Sequence, residues 1–474
     1  MMLKLNCIKT VAAFAAVIAM LFGSTGCGIN LTKDRTEYVL LGGNSGDIDY
    51  DHPDATTPEW QVGGPDQDAQ VVEDAPITGK LTVQIFINEN GVGEDAWTKI
   101  LDEFEQANPG LELTTYIGPN VNSQLASKWN SGKDTPDIVL LDGKGLSEYS
   151  MSAAGSFLDL TDWYQTATVY GTDGKIWDKV NTDALERYNG CQYKAPLMLN
   201  CYGLWYDEAS YQAMGISAHR DFSGMLANGQ VLKQNWQNSL IYPGMYSNYL
   251  VWGTVMPAVA AYGQEFFNRV ASGQEPEAYE DARFVGVLNN LHTLSQAGYI
   301  SASATQDHLG AQSDWLNHRA ALVSSGIWLE AEMKNSIPGN FEMHFTTAGL
   351  NAAGQNPGIA LMGVGVAISA NTQNAENAKT FLRYLYRDEN LNRLAVSYGY
   401  VSASQWQPEI AAYSPISQKV MQYIRGEDVT VVYKVCDWGN VGETFNNVAN
   451  QIAQGSLSVE QGIRQLKEAA QKNS

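Results

Sequence analysis

Apolar residues follow strand-like and helix-like spacing in turn from residue 80 onward. A short apolar run at 81–87 is typical of a buried strand, and apolar residues over 97–104 recur every three or four positions, as on one face of a helix. The same order repeats with an alternating segment at 111–117, a helical stripe at 121–129 and an apolar run at 137–141. This succession predicts a parallel sheet with helices on both faces.

Another strand–helix pair follows only after a long interval. Residues 203–358 have a more helical pattern and more aromatic residues, and near their end the apolar segment 320–328 predicts a further strand. Residues 363–370 then alternate as a strand does, and 378–385 carry a helical face. An isolated strand needs a sheet to pair with, so we expect this pair to return to the sheet formed by residues 80–141, in the first lobe of an α/β protein. A capping box at Ser458 predicts the closing helix.

Polar residues follow two of the predicted strands. Asn88 and Glu89 come after the first strand, and Asp142 comes after the third. Ligands of open parallel sheets bind beyond the carboxyl ends of the strands, so these three residues are candidate ligand contacts. Asn and Asp at such positions also cap helices and form turns, and the sequence leaves both roles open.

Residues 1–26 have the composition of an export signal. Two lysines precede an apolar run of twelve residues at 11–22, and small residues then lead to Cys27. Twelve apolar residues are too few to span a bilayer, which takes about 20. Small residues directly before a cysteine resemble the lipobox of bacterial lipoproteins, so we expect Cys27 to be lipidated. The alternative is a secreted protein with an incidental cysteine.

Residues 27–78 differ in composition from the rest of the chain. Between 28 and 78 there are eleven acidic residues against Lys33 and Arg35, with Gly and Pro interspersed and no sustained hydrophobic period. Such a segment buries too little apolar surface to fold by itself. We expect a disordered acidic linker that tethers the protein to a lipid anchor on the extracytoplasmic face of the cell membrane.

Charge and motif content exclude several classes of function. The 474 residues include 29 Lys+Arg against 51 Asp+Glu, a formal net charge of −22. This balance argues against nucleic acid, which proteins bind through Lys and Arg. The sequence contains no nucleophile elbow, zinc-protease helix or phosphate-binding loop. Its cysteines and histidines lack the spacing of metal ligands. We therefore expect no catalysis, no cofactor and no metal.

Three cysteines lie beyond the first 27 residues. Cys191 and Cys201 flank a short apolar stretch and could bridge a hairpin in an oxidising compartment, and Cys436 stands apart. The alternative is three buried thiols, which we favour because a chain of this length can bury a sufficient core without a disulfide.

Five segments of the chain occur in a recognisable order. They are FEQANPG at 104–110, DTPDIVLLDG at 134–143, YGLWYDEASYQAMG at 202–215, ALVSSGIW at 321–328, and the Gly-rich strand at 363–370 that leads into AENAKTFLRYL. Together with the lipoprotein-like start, they resemble the bacterial extracellular solute-binding proteins of family 1. These are the carbohydrate-binding lipoproteins of ABC importers, the group that includes maltose-binding protein. The resemblance covers residues 80–474.

The resemblance implies a periplasmic-binding-protein-like fold with two α/β lobes, a ligand cleft between them and three hinge crossings. It places the crossings near 201–206, 358–363 and 398–402. Lobe 1 would then comprise 79–202 and 361–399, and lobe 2 would comprise 205–358 and 402–474.

The resemblance also implies which residues line the cleft. Sugars present C–H faces that pack on aromatic rings, and their hydroxyls need partners once water is excluded. Trp328 matches the aromatic residue that follows the Gly at a strand end of the second lobe and stacks on the sugar. The alternative is a core Trp at a helix start. Further candidate contacts are Trp252, Asp437, Trp438 and Tyr400, which could also pack the hinge.

The expected function is capture of a carbohydrate, an oligosaccharide in our interpretation, by hinge closure. The ligand would pass to the membrane permease subunits of an ABC importer, and we expect the binding protein to be a monomer. The same cleft could instead bind a polyamine or peptide, or serve as the ligand sensor of a signalling receptor. A glycoside hydrolase would need two carboxylates flanking the scissile bond, and 51 acidic residues identify no such pair.

Overall fold

The computed structural model describes most of the chain from residue 60 onward. The described residues are 60–62, 69–142, 146–235, 238–243, 248–303, 307–435, 439 and 441–473. The predicted export signal at 1–26, the lipidation site Cys27, and the candidates Asp437 and Trp438 lie outside them, as does Cys436.

The first of two large sheets has seven strands and contains the predicted strand–helix units. Its strands are β2 (Thr78–Phe86), β3 (Gly110–Gly118), β4 (Ile138–Leu141), β5 (Lys194–Asn200), β11 (Gly358–Ile368), β12 (Val401–Ser402) and β14 (Thr430–Tyr433). Their order is β12-β5-β11-β4-β2-β3, with β14 paired to β11. β2 pairs in parallel with β3 and β4, which confirms the predicted parallel units, whereas β11 runs antiparallel to β4 and β5.

The helix between β2 and β3 shows how the sequence pattern builds this sheet. Residues Glu94–Ala107 form the helix and bury Trp97, Ile100, Leu101 and Phe104, the predicted apolar stripe. Asn108 ends it, because its side-chain amide donates to the carbonyl of Phe104 at 2.8 Å. The Oδ1 atom of Asn108 accepts from the backbone N–H of Ile77 at 2.9 Å and so fixes the helix end against the start of β2.

The second large sheet has five strands and contains the predicted strand near 320. Its strands are β6 (Tyr202–Asp207), β7 (Asn238–Pro243), β8 (Ile300–Ser303), β9 (Ala320–Gly326) and β10 (Met343–Thr346). Their order is β10-β6-β9-β7-β8, with β9 central and buried along its whole length. Two sheets, each packed with helices, confirm the predicted two-lobed α/β class. A small parallel pair joins β1 (Gln61–Val62) to β13 (Trp406–Gln407).

The helices of the described residues cover both sheets. Those that accompany the first sheet are Glu94–Ala107, Val121–Ser131, Glu148–Ala153, Thr161–Thr166, Ala375–Leu385 and Asp388–Tyr398. The others are Glu208–Ala213, Phe222–Asn235, Asn248–Leu250, the π-helical Val251–Val255, Met256–Ala260, Gln264–Ala271, Ala282–Gln296, His308–Leu316, Leu329–Met333, Pro415–Ile424, Val441–Ala453 and Val459–Asn473. Short 3-10 turns lie at Thr182–Ala184, Pro276–Glu280 and Ile410–Ala412. The predicted capping box is present, since Ser458 and Gln461 exchange hydrogen bonds of 3.1 and 3.3 Å.

The chain passes between the two sheets at several places. β5 ends at Asn200 and β6 begins at Tyr202, so the first crossing lies at Cys201. The second lies at the start of β11, where Ala360 and its neighbour Val432 on β14 pack into the hydrophobic core of the second sheet, although both strands pair within the first sheet. The third differs from the expectation: β12 still pairs with β5, and the bridge from Ser404 to Val180 keeps the chain beside the first sheet past residue 402.

A strap formed by residues 69–77 packs along the first sheet, where a disordered linker was expected. Its backbone bonds the turn around Gly171, and the carboxylate of Asp74 takes two hydrogen bonds from Arg383, at 2.8 and 3.1 Å. The linker prediction is therefore wrong for 60–62 and 69–78, while the rest of 27–78 lies outside the described residues. Composition could not predict the strap, because backbone groups and one carboxylate hold it rather than apolar side chains. Val71, for example, is 91% exposed.

Two further expectations concern cysteines and membrane spans. Cys191 and Cys201 are free thiols, so the structure does not contain the disulfide alternative. Cys201 is buried as favoured, but Cys191 is only partly buried. Within the described part of the chain, no helix has the length and apolar character that crossing a membrane requires.

Candidate functional site

Five aromatic side chains from both sheets meet where the chain crosses between them. Tyr202 begins β6, Trp328 lies two residues after β9, and Tyr249 stands on the short helix Asn248–Leu250. Tyr398 ends the helix Asp388–Tyr398, and Tyr400 precedes β12 of the first sheet. We call these five residues the cleft aromatics.

The cleft aromatics contact one another mainly edge to face. The ring centroids of Tyr202 and Trp328 are 4.9 Å apart at an interplanar angle of 88°, and those of Tyr202 and Tyr249 are 5.4 Å apart at 87°. Trp328 and Tyr400 lie 6.3 Å apart at 67°, which joins rings of the two sheets. Such contacts fix the rings. Tyr202, Tyr249 and Trp328 are partly exposed, whereas Tyr398 and Tyr400 are buried.

Trp328 rests directly on the backbone of Gly326. A Cβ atom added to Gly326 would lie 1.8 Å from the indole, so only glycine admits the ring in this position. The end of β9 is itself held, because Trp205 donates to the carbonyl of Gly326 at 3.0 Å and Ile327 donates to that of Cys201 at 3.1 Å. Trp328 is partly exposed and also packs against the hydrophobic core, and its role as a stacking platform stays a prediction.

Asp142, at the carboxyl end of β4, is a desolvated carboxylate. Burial raises its pKa to about 6 from an ordinary value of 3.8. Among the described residues, none donates a hydrogen bond to it or forms an ion pair with it. After burial, its charge is a cause of the raised pKa values of Tyr202, Tyr398 and Tyr400, which places the carboxylate beside these rings.

Asp137, at the other end of the same strand, has a complete set of partners. Its carboxylate accepts from the backbone N–H of Thr82 at 2.7 Å and from the Thr82 hydroxyl at 2.8 Å. Thr372 and Asn374 donate to it as well. Asp137 therefore has a structural role. The two aspartates that flank β4 thus differ, since Asp137 is fully hydrogen-bonded and Asp142 has no partner among the described residues.

Glu332 approaches the cleft aromatics from the second sheet. Its carboxylate accepts from Gln312 at 2.8 Å and lies 3.3 Å from Nε2 of His308. Its backbone N–H donates to the carbonyl of Trp328 at 3.0 Å, one helical turn earlier. Burial is the main cause of the raised pKa of Tyr202, followed by the charges of Asp142 and Glu332. A carboxylate from each sheet thus faces the same tyrosine.

Asn200 supplies a further polar group at the first crossing. It is the last residue of β5 and is 8% exposed, and its Oδ1 atom has no hydrogen-bond partner among the described residues. Burial raises the pKa of Tyr400, and a hydrogen bond from the Asn200 side chain acts in the opposite direction. The amide therefore faces Tyr400 with its carbonyl oxygen unused.

The other predicted contacts have different surroundings. The Oδ1 atom of Asn88 accepts from the backbone N–H groups of Asn90 and Val92 at 3.2 and 3.1 Å, which is the turn-forming alternative, and Glu89 is exposed. Trp252 is partly buried on the π-helical turn and packs against the core of the second sheet. All three stay predictions. Tyr400 is 3% exposed and contacts the rings of Trp328 and Tyr398, and its role as a ligand contact stays a prediction.

A buried charge cluster surrounds Gly363 on the crossing strand β11. The ammonium of Lys194 lies 2.8 Å from Glu148, 3.1 Å from Glu186 and 2.9 Å from the carbonyl of Gly363. Glu186 also contacts Lys434 at 3.1 Å and accepts from the Gly363 N–H at 3.2 Å. Burial acts to raise the pKa of Glu186, but the two lysines outweigh it and lower that pKa. The cluster ties residues near three strands to the second crossing.

Sequence reasoning missed five residues of this site: Tyr202, Tyr249, Tyr398, Asn200 and Glu332. Tyr202 and Tyr398 lie at predicted crossings, so an aromatic residue at a hinge was the available signal. Tyr249 lies between the segments 202–215 and 321–328, outside the five segments that carried the family resemblance. Among the described residues, no group of three or more His, Cys, Asp or Glu could hold a metal ion.

Comparison with known families identifies the type of protein. The family model of the bacterial extracellular solute-binding proteins matches residues 90–391, more than half of the chain. The chain belongs to this family. The predicted family resemblance is thereby confirmed.

Individual relatives of this solute-binding protein are distant. A multiple sugar-binding protein of Streptococcus mutans is 20% identical over 324 residues, which are 65% of this chain and 71% of that protein. A diacetylchitobiose binding protein of Streptomyces coelicolor is 22% identical over 272 residues, 55% of this chain and 56% of that protein. The GacH receptor of Streptomyces glaucescens, solved without ligand and with acarbose, has a TM-score of 0.63 at 15% identity. That likeness covers 84% of this chain and 98% of the receptor, and it shows the shared fold.

Proposed function

We propose that this solute-binding protein captures a carbohydrate, an oligosaccharide, between its two lobes and delivers it to an ABC importer. The observation that carries the proposal is the meeting of the cleft aromatics with the unpartnered Asp142 at the point where the two sheets face each other. Flat rings suit the C–H faces of sugars, and a carboxylate suits their hydroxyls. The sugar-binding relatives and the acarbose complex of the GacH receptor support the same ligand class.

Hinge closure is the proposed mechanism. Trp328 and Tyr249 project from the second sheet, while Asp142 and Tyr400 belong to the first. A ligand that touches both groups stabilises the closed arrangement and shifts the population toward it. In this proposal lobe 1 holds 79–202 and 361–407 and lobe 2 holds 205–358 and the chain from the helix Pro415–Ile424 onward. The third crossing is thus moved past β13.

The remaining features of the proposal rest on the sequence and the family. Export by residues 1–26 and lipidation at Cys27 would hold the protein on the extracytoplasmic face of the membrane, near the permease subunits of the importer. We propose a monomeric binding protein without enzymatic activity, because the family consists of solute-binding proteins.

A thermal-shift screen tests the proposed ligand class. A ligand raises the unfolding temperature by mass action, so mono- and oligosaccharides can be compared directly, with spermidine and short peptides as competing classes. We expect at least one oligosaccharide to stabilise the protein. Stabilisation by spermidine or a peptide alone would contradict the proposal.

Trp328→Ala tests the proposed platform. Loss of stacking and buried area should weaken binding of the saccharide found in the screen by about 1–3 kcal/mol, with little change in the unfolding temperature. Trp315→Ala is the matched control, because Trp315 is 1% exposed and should lower the unfolding temperature instead. If Trp328→Ala lost as much stability as Trp315→Ala while binding were unchanged, Trp328 would be a core residue.

A further inference from the structure

We infer that the hinge end of the cleft selects neutral or basic saccharides and rejects acidic ones, because Asn200 and Asp142 offer unpartnered acceptors beside a second carboxylate. The inference rests on the proposed function and narrows its ligand class. It assigns Asn200 as a residue that determines specificity.

The position of Asn200 makes its orphan oxygen available to a ligand at the hinge. Asn200 directly precedes the crossing residue Cys201, and its side chain is turned toward Tyr400, one of the cleft aromatics. A buried amide oxygen without a donor is costly to the folded protein, and the large majority of buried side-chain polar atoms have a partner, unlike Asn200 Oδ1. An O–H or N–H group of a bound ligand would satisfy it.

Asp142 adds a charged acceptor next to the same rings. It sits at the end of β4, next to β11 in the sheet, while Asn200 ends β5 on the other side of β11. The two acceptors thus flank the crossing strand. Neither accepts a hydrogen bond from the described residues, so O–H or N–H groups of a ligand can donate to both.

Among the described residues, the side-chain charges that act on Tyr202, Tyr398 and Tyr400 are negative, and the imidazole of His308 lies 3.3 Å from Glu332. Asp142 and Glu332 are the charged groups that influence Tyr202, and Asp142 is the one that influences Tyr398. The nearby lysines 194 and 434 are already paired with Glu148 and Glu186. Lys144, two positions after Asp142, lies outside the described residues.

The chemistry of the ligand follows from this arrangement. A hydroxyl donates to a carboxylate or an amide oxygen, and an ammonium group donates and also balances the charge. A uronate or a phosphate would place further acceptors against Asn200 and Asp142, which need donors. It would also bring a negative charge close to the carboxylates, and repulsion in a partly desolvated site is strong. Acidic saccharides are therefore excluded by repulsion as well as by missing donors.

Isothermal titration at pH 7.5 tests the inference with four probe sets. They are malto-oligosaccharides, N-acetylated chito-oligosaccharides, chitosan oligosaccharides as basic probes, and oligogalacturonides as acidic probes. We expect the best neutral or basic probe to bind about 100-fold more tightly than any acidic probe. Asp142→Asn should reduce this ratio of affinities about tenfold or more. Asn200→Leu should weaken binding of the neutral or basic probe about tenfold.

A matched asparagine separates a specificity role from a structural one. Asn108 is buried with both ends of its amide satisfied, so Asn108→Leu should lower the unfolding temperature and leave the ratio between probes unchanged. Lys144→Gln serves as a second control and should also leave the ratio unchanged.

Each outcome decides between the inference and the function beneath it. Binding of neutral and acidic probes with equal affinity would overturn the inference alone, as would a ratio that Asp142→Asn leaves intact. Acidic probes that bind the natural protein but not Lys144→Gln would show a cation in the site and overturn it too. If no saccharide of any class bound, the proposed function would fail and the inference with it.

Discussion

Asp142→Asn should make the unliganded protein more stable at neutral pH while weakening ligand binding. The substitution keeps the shape of the side chain and removes its charge. Asp142 has no partner among the described residues, so the folded protein carries an uncompensated and desolvated carboxylate. A residue kept for the fold would behave in the opposite way.

The size and sign of the effect follow from the pKa of Asp142. Its rise from 3.8 to about 6 means that the folded protein binds this proton more tightly than the unfolded chain does. The natural protein therefore loses stability from this group as the pH rises from about 4 to about 6. Two units correspond to about 3 kcal/mol at most, and partial exposure to water reduces this to about 1–3 kcal/mol at pH 7.5.

Thermal unfolding at two pH values measures the prediction. Unfolding entropy scales with chain length, so about 1–3 kcal/mol corresponds to an increase of about 1–4 °C for a domain of about 400 residues. We expect this increase for Asp142→Asn at pH 7.5 and almost none at pH 4, where the carboxyl of the natural protein is protonated. The ligand found in the screen should bind the variant more weakly at pH 7.5.

Asp137→Asn is the control at the other end of β4. Its carboxylate accepts from Thr82 and Asn374, so an amide there would place N–H groups against donors and lower the unfolding temperature. A loss of stability in Asp142→Asn as large as that in Asp137→Asn would refute our account of Asp142. So would a gain at pH 7.5 that persists unchanged at pH 4.

Three further substitutions probe the platform, the charge cluster and the strap. Gly326→Ala should weaken saccharide binding by about tenfold and change the tryptophan fluorescence, because the new Cβ would lie 1.8 Å from the ring of Trp328; unchanged affinity would contradict this. Lys194→Met should lower the free energy of unfolding in denaturant by about 3–5 kcal/mol, because Glu148 and Glu186 lose the buried cation that they share. A loss under about 1 kcal/mol would contradict the stabilising role of the cluster. Asp74→Ala should cost about 1–2 kcal/mol and speed proteolysis of the strap, whereas Glu376→Ala, at an exposed ion pair, should do neither.

Local pattern was sufficient to predict the elements whose partners lie nearby in the chain. The stripe from Trp97 to Phe104 forms its helix because those side chains pack on the adjacent strands, and the capping box at Ser458 is closed by a residue three positions away. The returning pair at β11 and the helix Ala375–Leu385 was predictable because an isolated strand requires a sheet. Each case rests on spacing that a sequence displays directly.

The strap and the cleft aromatics depend on contacts that spacing does not display. Asp74 meets Arg383 across 309 positions, and Tyr202 meets Trp328 and Tyr249 only after β6 and β9 have paired. Acidic composition predicted the opposite of the strap, because composition averages over a segment and misses the one carboxylate, Asp74, that pairs with the partly buried guanidinium of Arg383. The family resemblance pointed to Trp328 but not to Tyr202 and Tyr249, which pack against it.

The two aspartates of β4 show why a site cannot be distinguished from a structural residue by motif alone. In the run DIVLLD, Asp137 and Asp142 are equivalent as letters, and both flank the same buried strand. They differ in their surroundings: Thr82 and Asn374 donate hydrogen bonds to Asp137, whereas Asp142 faces Tyr202 of the second sheet. Unsatisfied groups reduce the stability of the unliganded protein. Asp142 and Asn200 lie at strand ends beside the crossing strand, and Trp328 lies on the second sheet. A ligand that satisfies the acceptors while stacking on the ring therefore gains most when the lobes close, which couples binding to closure.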